Sequence, residues 1–498
     1  MKKILSAVII AAFCALAVLT ACRNAPENSG TSLSSSEAAS AEERVAVSDP
    51  EGTESYVPES DAPESDGTLS ETVSGGVSET ESSVAEEFPS AAESSEPESE
   101  NSDPAESTTD SRSEPPEQSS EPESEKPGAP EMLYCVYSEK PYFAIIGRCE
   151  EGATVHAECN GYSFSSLSWH GWFSVRMKGE GIVGVKMYQT VNGIDGEPKN
   201  YMAAPKTPYG DEGVVTGKDF QFFYQKNLPD FLKINVPNQY QLDSFTSRIK
   251  SRVETLRSLN PESEIIYMIV PASVTVYPER VPDEYVSPEG ESRLDKVIKA
   301  IRAGGATAID LRAAFDEHKN DEMPLYYHLD SHWADYGGYI AYRELFEHIS
   351  KRFPAAKPRD IDEFDWNPGY YESGDMPMYL SLPYQDIKDY GYYRKFNIEV
   401  PSEVTRFPRY RRETSLVYSD YVTYENVINT GRSDLPDCLV YRDSFGTQVY
   451  DILAERSGRT HYAGMWSYGW NNATVKSEKP DYVIYIVSEW NIPGIINN

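Results

Sequence analysis

From about Thr207 onward, the apolar positions switch between two periods. Leu242, Phe245, Ile249, Val253 and Leu256 recur at three and four residues, the spacing of an amphipathic helix. Ile265 to Val270 is a continuous apolar run ending at Pro271, which reads as a buried strand. A second helix carries Leu294, Val297, Ile298 and Ile301, closes at Gly304-Gly305 and leads to a strand over Ala306–Leu311. A third helix runs from about Ala334 to Lys351, and Cys438–Tyr441 and Tyr482–Val487 give two more buried strands. Strands separated by helices predict an α/β domain over 207–498, with a mostly parallel sheet covered by helices on both faces. Ahead of it, 131–206 breaks into short β-like pieces (Tyr142–Gly147, Ala153–Ala157, Gly171–Val175, Ile182–Met187), whose spacing predicts a small antiparallel sandwich. Its His156 and His170 read as surface or packing residues. Between about 354 and 430 the rhythm fails, and the segment holds eleven tyrosines, among them Tyr370, Tyr371, Tyr379, Tyr384, Tyr390, Tyr392 and Tyr393, with Trp366. Rings with polar tips suit a cleft that accepts sugar faces, or they pack an irregular insertion onto the sheet.

Charge divides the 498 residues differently. Residues 23–130 carry 28 acidic and 4 basic side chains, a net −24 of the chain's −35. This stretch of Ser, Glu, Pro, Ala, Thr and Asp has too few large apolar side chains to offset its conformational entropy, so a disordered linker is expected. As a flexible tether it would span about 55–60 Å end to end. An acidic interaction tail is the other reading. The chain from 131 is only mildly acidic, which excludes a general nucleic-acid footprint; Arg406, Arg409, Arg411 and Arg412 form one local basic cluster, read as solvated surface. Before the linker, Lys2 and Lys3 precede an apolar run from Ile4 to Leu19 that ends Leu19-Thr20-Ala21-Cys22, the layout of an export signal. The last four residues resemble a bacterial lipobox. That resemblance implies a signal over 1–22, lipidation of Cys22 and attachment to the outer face of a bacterial membrane, in the cell envelope.

With Cys14 and Cys22 assigned to the signal, Cys135, Cys149, Cys159 and Cys438 remain. In an exported chain a bridge between Cys149 and Cys159, or between Cys135 and one of them, is expected as an option, and spacing does not choose between pairings.

The chemistry concentrates in two blocks. Tyr327-His328-Leu329-Asp330-Ser331-His332-Trp333 holds two of the seven histidines around one aspartate, just before the third helix. A carboxylate two residues from a histidine can hold one ring nitrogen while the other faces a reacting group. Tyr441-Arg442-Asp443-Ser444-Phe445-Gly446 turns from strand to helix and supplies a serine at the carboxyl end of a strand, where α/β sheets place ligands. Serine needs a base within reach to act as a nucleophile, so Ser444, His332 and Asp330 are the candidate catalytic set, with the Ser444 amide as an oxyanion donor. Helix capping by Asp443, Ser444 or Asp330 is the plain alternative. A second alternative is a divalent-metal hydrolase using His328, Asp330 and His332, which an extended strand would put on one face.

The same blocks, Asp330-Ser331-His332-Trp333 with Tyr336-Gly337-Gly338-Tyr339 and then Arg442-Asp443-Ser444-Phe445-Gly446, resemble the SGNH-hydrolase-like domain of the alginate O-acetyltransferase family and its clostridial relatives with an Asp-His-His-Trp signature. Gly217–Tyr224, Val270-Pro271, Tyr277–Pro282 and Glu489 look like further blocks of that family. The chain departs from it at Ser331, at Ala272-Ser273 and at Arg442. The pieces of 131–206 resemble bacterial immunoglobulin-like modules. The family resemblance implies an O-acyl (acetyl) transferase acting on a cell-surface or secreted polysaccharide through an acyl-serine, while the residues themselves leave transferase and esterase both open. It implies no cofactor and no metal, and an acyl donor supplied by a membrane-bound acyltransferase. It also makes Trp333, Tyr327, Asp443 and Tyr277 substrate-binding or supporting residues. A glycan-binding surface lipoprotein without turnover is the competing reading.

Overall fold

The structure is a computed structural model that describes residues 126–210, 212–371, 374–383, 386–395, 403–406 and 425–498. The signal with Cys14 and Cys22, the acidic linker up to residue 125, Tyr384, Arg409, Arg411 and Arg412 lie outside the described residues. No helix among the described residues is long and apolar enough to cross a membrane.

Residues 131–203 form two facing antiparallel sheets. One joins β1 (Glu131–Glu139), β2 (Tyr142–Arg148) and β5 (Trp172–Lys178). The other joins β3 (Thr154–Cys159), β4 (Tyr162–Leu167), β6 (Val183–Val191), β7 (Ile194–Asp195) and β8 (Lys199–Ala203). Alternate residues such as Phe143, Ile145, Val155, Ala157, Val175, Val185 and Met187 point into the space between the sheets. β1 was not expected from its sequence, because polar and apolar residues do not alternate cleanly along it. The four described cysteines are free thiols, so no bridge joins Cys135, Cys149 or Cys159. Cys159 is buried in the sandwich core, with Cys135 and Cys149 packed against it.

A small ribbon, β9 (Val214–Thr216) and β10 (Phe222–Tyr224), leads into the α/β part. There α1 (Gln239–Leu259), β11 (Glu264–Val270), α2 (Arg293–Ala303), β12 (Thr307–Asp310) and α3 (Asp335–Ile349) follow the expected alternation. α1 and α2 each begin with a reciprocal capping box, Asn238 with Gln241 and Ser292 with Asp295. The hairpin β13 (Asp365–Tyr371) and β14 (Asp389–Lys395) and the short helix α4 (Asp375–Tyr379) occupy the tyrosine-rich segment. Then come β15 (Glu403–Arg406), β16 (Asn426–Asn429), β17 (Asp437–Arg442), β18 (Arg459–Tyr462) and β19 (Tyr482–Ser488).

The main sheet has the order β12-β11-β19-β17-β18-β16-β15. Its first five strands are parallel, and β16 and β15 add an antiparallel edge. Successive residues of the central strands serve opposite faces. Ile266, Met268, Val440, Ile484 and Ile486 meet Ile340, Leu345 and Phe346 of α3. Ile265, Tyr267, Leu439, Val483 and Tyr485 meet Phe245 and Ile249 of α1 and Val297 and Ile301 of α2. Burial on both faces explains why these strands read as continuous apolar runs.

The outer face of the β1-β2-β5 sheet does not face solvent. Val136, Ala144, Ile146 and Trp172 pack with Phe220, Phe222, Leu329, Met376, Leu380 and Ile387 of the α/β part. At the edge of this contact Trp169 of the sandwich donates its indole N–H to the buried Asp389 carboxylate (3.1 Å) and stacks on His328 at 4.0 Å between centroids. Asp389 also accepts the amides of His328, Leu329 (2.8 Å) and Tyr390 (2.8 Å). Removing it leaves several buried donors without an acceptor, each costing about 1–3 kcal/mol. Asp389→Ala is therefore expected to lower the unfolding free energy by about 3 kcal/mol or more, measured by urea denaturation.

Candidate active site

Ser444 is the second residue past β17. Asp443, in extended conformation, caps the short turn Ser444–Thr447 by accepting the Phe445 amide (3.0 Å). The other Asp443 oxygen accepts the Ser488 amide (2.8 Å), the Ser488 hydroxyl (2.7 Å) and the Asn491 side-chain amide (3.0 Å) at the end of β19. Asp443 is wholly buried and anchors the serine turn. Gly446 allows the turn to close: a Cβ there would lie 2.6 Å from the Arg442 side chain, which is itself buried and donates to the Asp443 carbonyl (2.9 Å).

The histidine block is a loop closed at its base. Tyr326 and Trp333 form an antiparallel bridge, and the Ala334 amide donates to the Leu325 carbonyl (2.8 Å). Trp333 is buried and donates its indole N–H to the Phe445 carbonyl (2.9 Å), which ties the loop to the serine turn. Within the loop a single oxygen, Asp330 Oδ1, accepts both the backbone N–H (2.9 Å) and the ring Nδ1–H (2.8 Å) of His332. An ionised carboxylate only accepts, so Nδ1 carries the proton, and in the neutral ring Nε2 offers the lone pair. Nε2 lies 2.8 Å from Ser444 Oγ. Residues 112 positions apart thus form one line, Asp330 to His332 to Ser444, with Ser444 half-buried and the His332 side chain 25% exposed. The Phe445 ring, 4.9 Å from the imidazole between centroids, forms one wall beside it.

Burial pulls the His332 imidazole down, but the Asp330 carboxylate, with lesser help from Asp375 and Asp443, outweighs it and holds the ring up at about 9. A ring with such neighbours gains most when it becomes cationic.

The remaining predicted residues are supports. Tyr277 is buried in the core beneath the sheet end, with the Arg280 guanidinium 4.4 Å from its ring centroid. Tyr327 is buried, its ring closing on the space at Gly391. His328 does not join Asp330 and His332: its Nε2 faces the Arg280 guanidinium (3.1 Å), and burial next to that cation holds it well below the usual histidine range. The set His328, Asp330 and His332 is therefore not a metal cluster. Among the described residues the acid and histidine atoms that do converge, within 4.8 Å of one another, belong to Asp330, His332 and Asp375. Of the segment's tyrosines, Tyr370 is 51% exposed and packs edge-on to Tyr390, whose ring stacks on His170 of the sandwich at 3.8 Å. Tyr379 instead packs inward on Tyr224.

Sequence reasoning missed Asp375 and Asp389. Asp375 accepts the Ser331 amide (2.8 Å) and the Ser331 hydroxyl. Both aspartates come from the segment where periodicity failed, and only the Gly374-Asp375 pair before a short helix offered a local signal of a cap.

Residues 214–402 match the family model described as SGNH hydrolase-like domain, acetyltransferase AlgX. The match takes in Asp330 and His332 and ends before Ser444. This stretch of the chain is thus similar to an SGNH hydrolase-like domain of acetyltransferase type. Similar solved structures include PatB1 of Bacillus cereus (14% identity, covering 56% of this chain and 97% of that one, TM-score 0.42). The O-acetyltransferase domain of Pseudomonas putida AlgJ gives 19% identity, 57% and 93% coverage and a TM-score of 0.35. A DHHW family protein of Eubacterium siraeum gives 13% identity, 63% and 95% coverage and a TM-score of 0.40. No curated protein sequence matches the chain.

Because Ser444 is half-exposed and Asp443 is a buried hub, their substitutions should separate. Ser444→Ala is expected to change unfolding free energy by no more than about 0.5 kcal/mol, and Asp443→Ala to cost about 3 kcal/mol, by chemical denaturation.

Proposed function

We propose that the protein is an extracytoplasmic O-acyltransferase or esterase that uses Ser444 as nucleophile, His332 as general base and Asp330 as the residue that orients it. The observation that carries this reading is the unbroken hydrogen-bond line from Asp330 through His332 to Ser444 at the carboxyl end of β17. The family match of residues 214–402 supports an acetyl group as the cargo. The partly exposed tyrosines of the β13–β14 hairpin, whose Asp389 accepts amides of the histidine loop, support a polysaccharide as the acceptor. The amino-terminal signal and Cys22 support a lipid anchor, with the acidic linker as tether.

In the first step His332 Nε2 takes the Ser444 proton as Oγ attacks the carbonyl carbon of an acetyl ester. The negative charge passes to the carbonyl oxygen, for which the Ser444 amide is the proposed hydrogen-bond donor. Collapse expels the donor alcohol, which receives the proton from His332 and leaves acetyl-Ser444. In the second step a sugar hydroxyl, or water, attacks this ester, gives its proton to His332 and carries the acetyl away, and Ser444 is reprotonated. A membrane-bound acyltransferase is the expected source of the acetyl group. Asp330 stabilises the imidazolium in both halves.

Incubation with a chromogenic acetyl ester should yield an acetyl adduct by intact mass, placed on Ser444 by peptide mapping. Ser444→Ala should lose the adduct and reduce ester turnover by roughly a thousandfold or more. An adduct that persists in this variant overturns the assignment, and a wild-type protein that binds glycan but never acylates favours the non-catalytic reading. A protonated imidazole has no lone pair to accept the serine proton, so kcat/KM should fall as pH drops from about 9 toward neutrality, following His332. A profile flat across that range would remove His332 from the role of base.

A further inference from the structure

A second carboxylate, that of Asp375, packs against the histidine loop within 4.8 Å of the acid and ring atoms of Asp330 and His332. Gly374 approaches the loop so closely that a Cβ would sit 1.8 Å from the Leu329 carbonyl oxygen, and the Met376 amide donates to that same oxygen (3.1 Å). Between these two contacts the Asp375 side chain reaches across and takes both Ser331 donors, the amide through Oδ1 and the hydroxyl through Oδ2. Ser331 Oγ in turn lies 3.4 Å from His332 Nδ1, the ring nitrogen that Asp330 holds. Residues 374–376 thus brace residues 329–331.

Resting on the catalytic reading above, we propose that Asp375 is a positioning residue: bonded to both donors of Ser331, it fixes the histidine loop and adds a second negative charge that favours the cationic form of His332. The charged groups facing the imidazole among the described residues are Asp330, Asp375 and Asp443, all acidic. Those facing Asp375 are Asp330 and His332, and its charge is also felt at the Tyr224 hydroxyl, which donates to Glu212. Burial, then the nearby Asp330 charge, push the Asp375 carboxyl up, while His332 and the Ser331 donors pull it down. Where its carboxyl is ionised, Asp375 adds to the charge of Asp330 at the imidazole. Asp330 sets the tautomer and supplies the larger pull toward the cationic ring, and Asp375 adds to that pull.

The experiment is a direct NMR titration of the His332 ring nitrogens, together with the pH profile of acetyl ester turnover. Asp375→Asn keeps an acceptor for Ser331 and removes the charge. The His332 midpoint and the rising limb of kcat/KM are both expected to move down together by about one pH unit, with acetyl-Ser444 still formed. A purely structural brace would lower kcat or thermal stability and leave both midpoints in place, which would overturn the proposal. Asp375→Ser, which also removes the charge, is expected to shift the His332 midpoint in the same direction. It decides the matter if Asp375→Asn does not fold: an unmoved midpoint in Asp375→Ser refutes the coupling. The titration does not require turnover, so a wild-type protein that never acylates Ser444 fails the catalytic reading without bearing on the link between Asp375 and His332.

Discussion

One carboxylate oxygen accepting two N–H groups of the same histidine is the constraint on which the site depends. Because Asp330 Oδ1 holds both the backbone and the ring of His332, the imidazole cannot rotate without breaking its bond to the carboxylate that also holds its own main chain. The rest of the loop is held in the same manner. The amides of His328 and Leu329 go to Asp389, that of Ser331 to Asp375 and that of His332 to Asp330. Four of five consecutive amides in a buried loop end on carboxylates and not on a neighbouring strand. Such a loop satisfies its backbone without being regular, which leaves its side chains free to point where chemistry needs them.

The arrangement has an electrostatic consequence. Aspartates that act as backbone acceptors also gather negative charge around a single imidazole, and the nearest guanidinium to the loop, Arg280, is occupied by His328 and Gln221. The scaffold that holds the loop in place thus also favours the cationic imidazole that the proposed acyl transfer requires.

Much of this was legible in the chain. The buried strands announced themselves as Ile265–Val270 and Tyr482–Val487, because a parallel sheet covered on both faces needs apolar residues at every position. The Asp330-x-His332 spacing and the serine after β17 were legible as well, since both are local patterns. What could not be read were groups whose meaning is set by a distant partner. Asp375 and Asp389 are ordinary acidic residues in sequence, and only residues 44 and 60 positions away make them acceptors. His328 sits two residues from Asp330 and invited a metal reading, but Arg280 and Trp169 decide its direction. Arg442 looked out of place where a glycine is common, yet it fills the interior of the serine turn with Gly446 folded against it. The cysteines, whose spacing allowed a bridge, are held as separate thiols in and around the sandwich core.

The indole of Trp169 reaches from the amino-terminal sandwich to an aspartate that underpins the histidine loop, 220 residues later. The two halves are consequently not interchangeable parts. A lineage that swapped in a different front module would have to bring along a matching donor at this one point, or lose one of the donors to the acid beneath its own histidine loop. Descent should therefore preserve the pairing of the module with this hydrolase even where the surfaces of both drift freely.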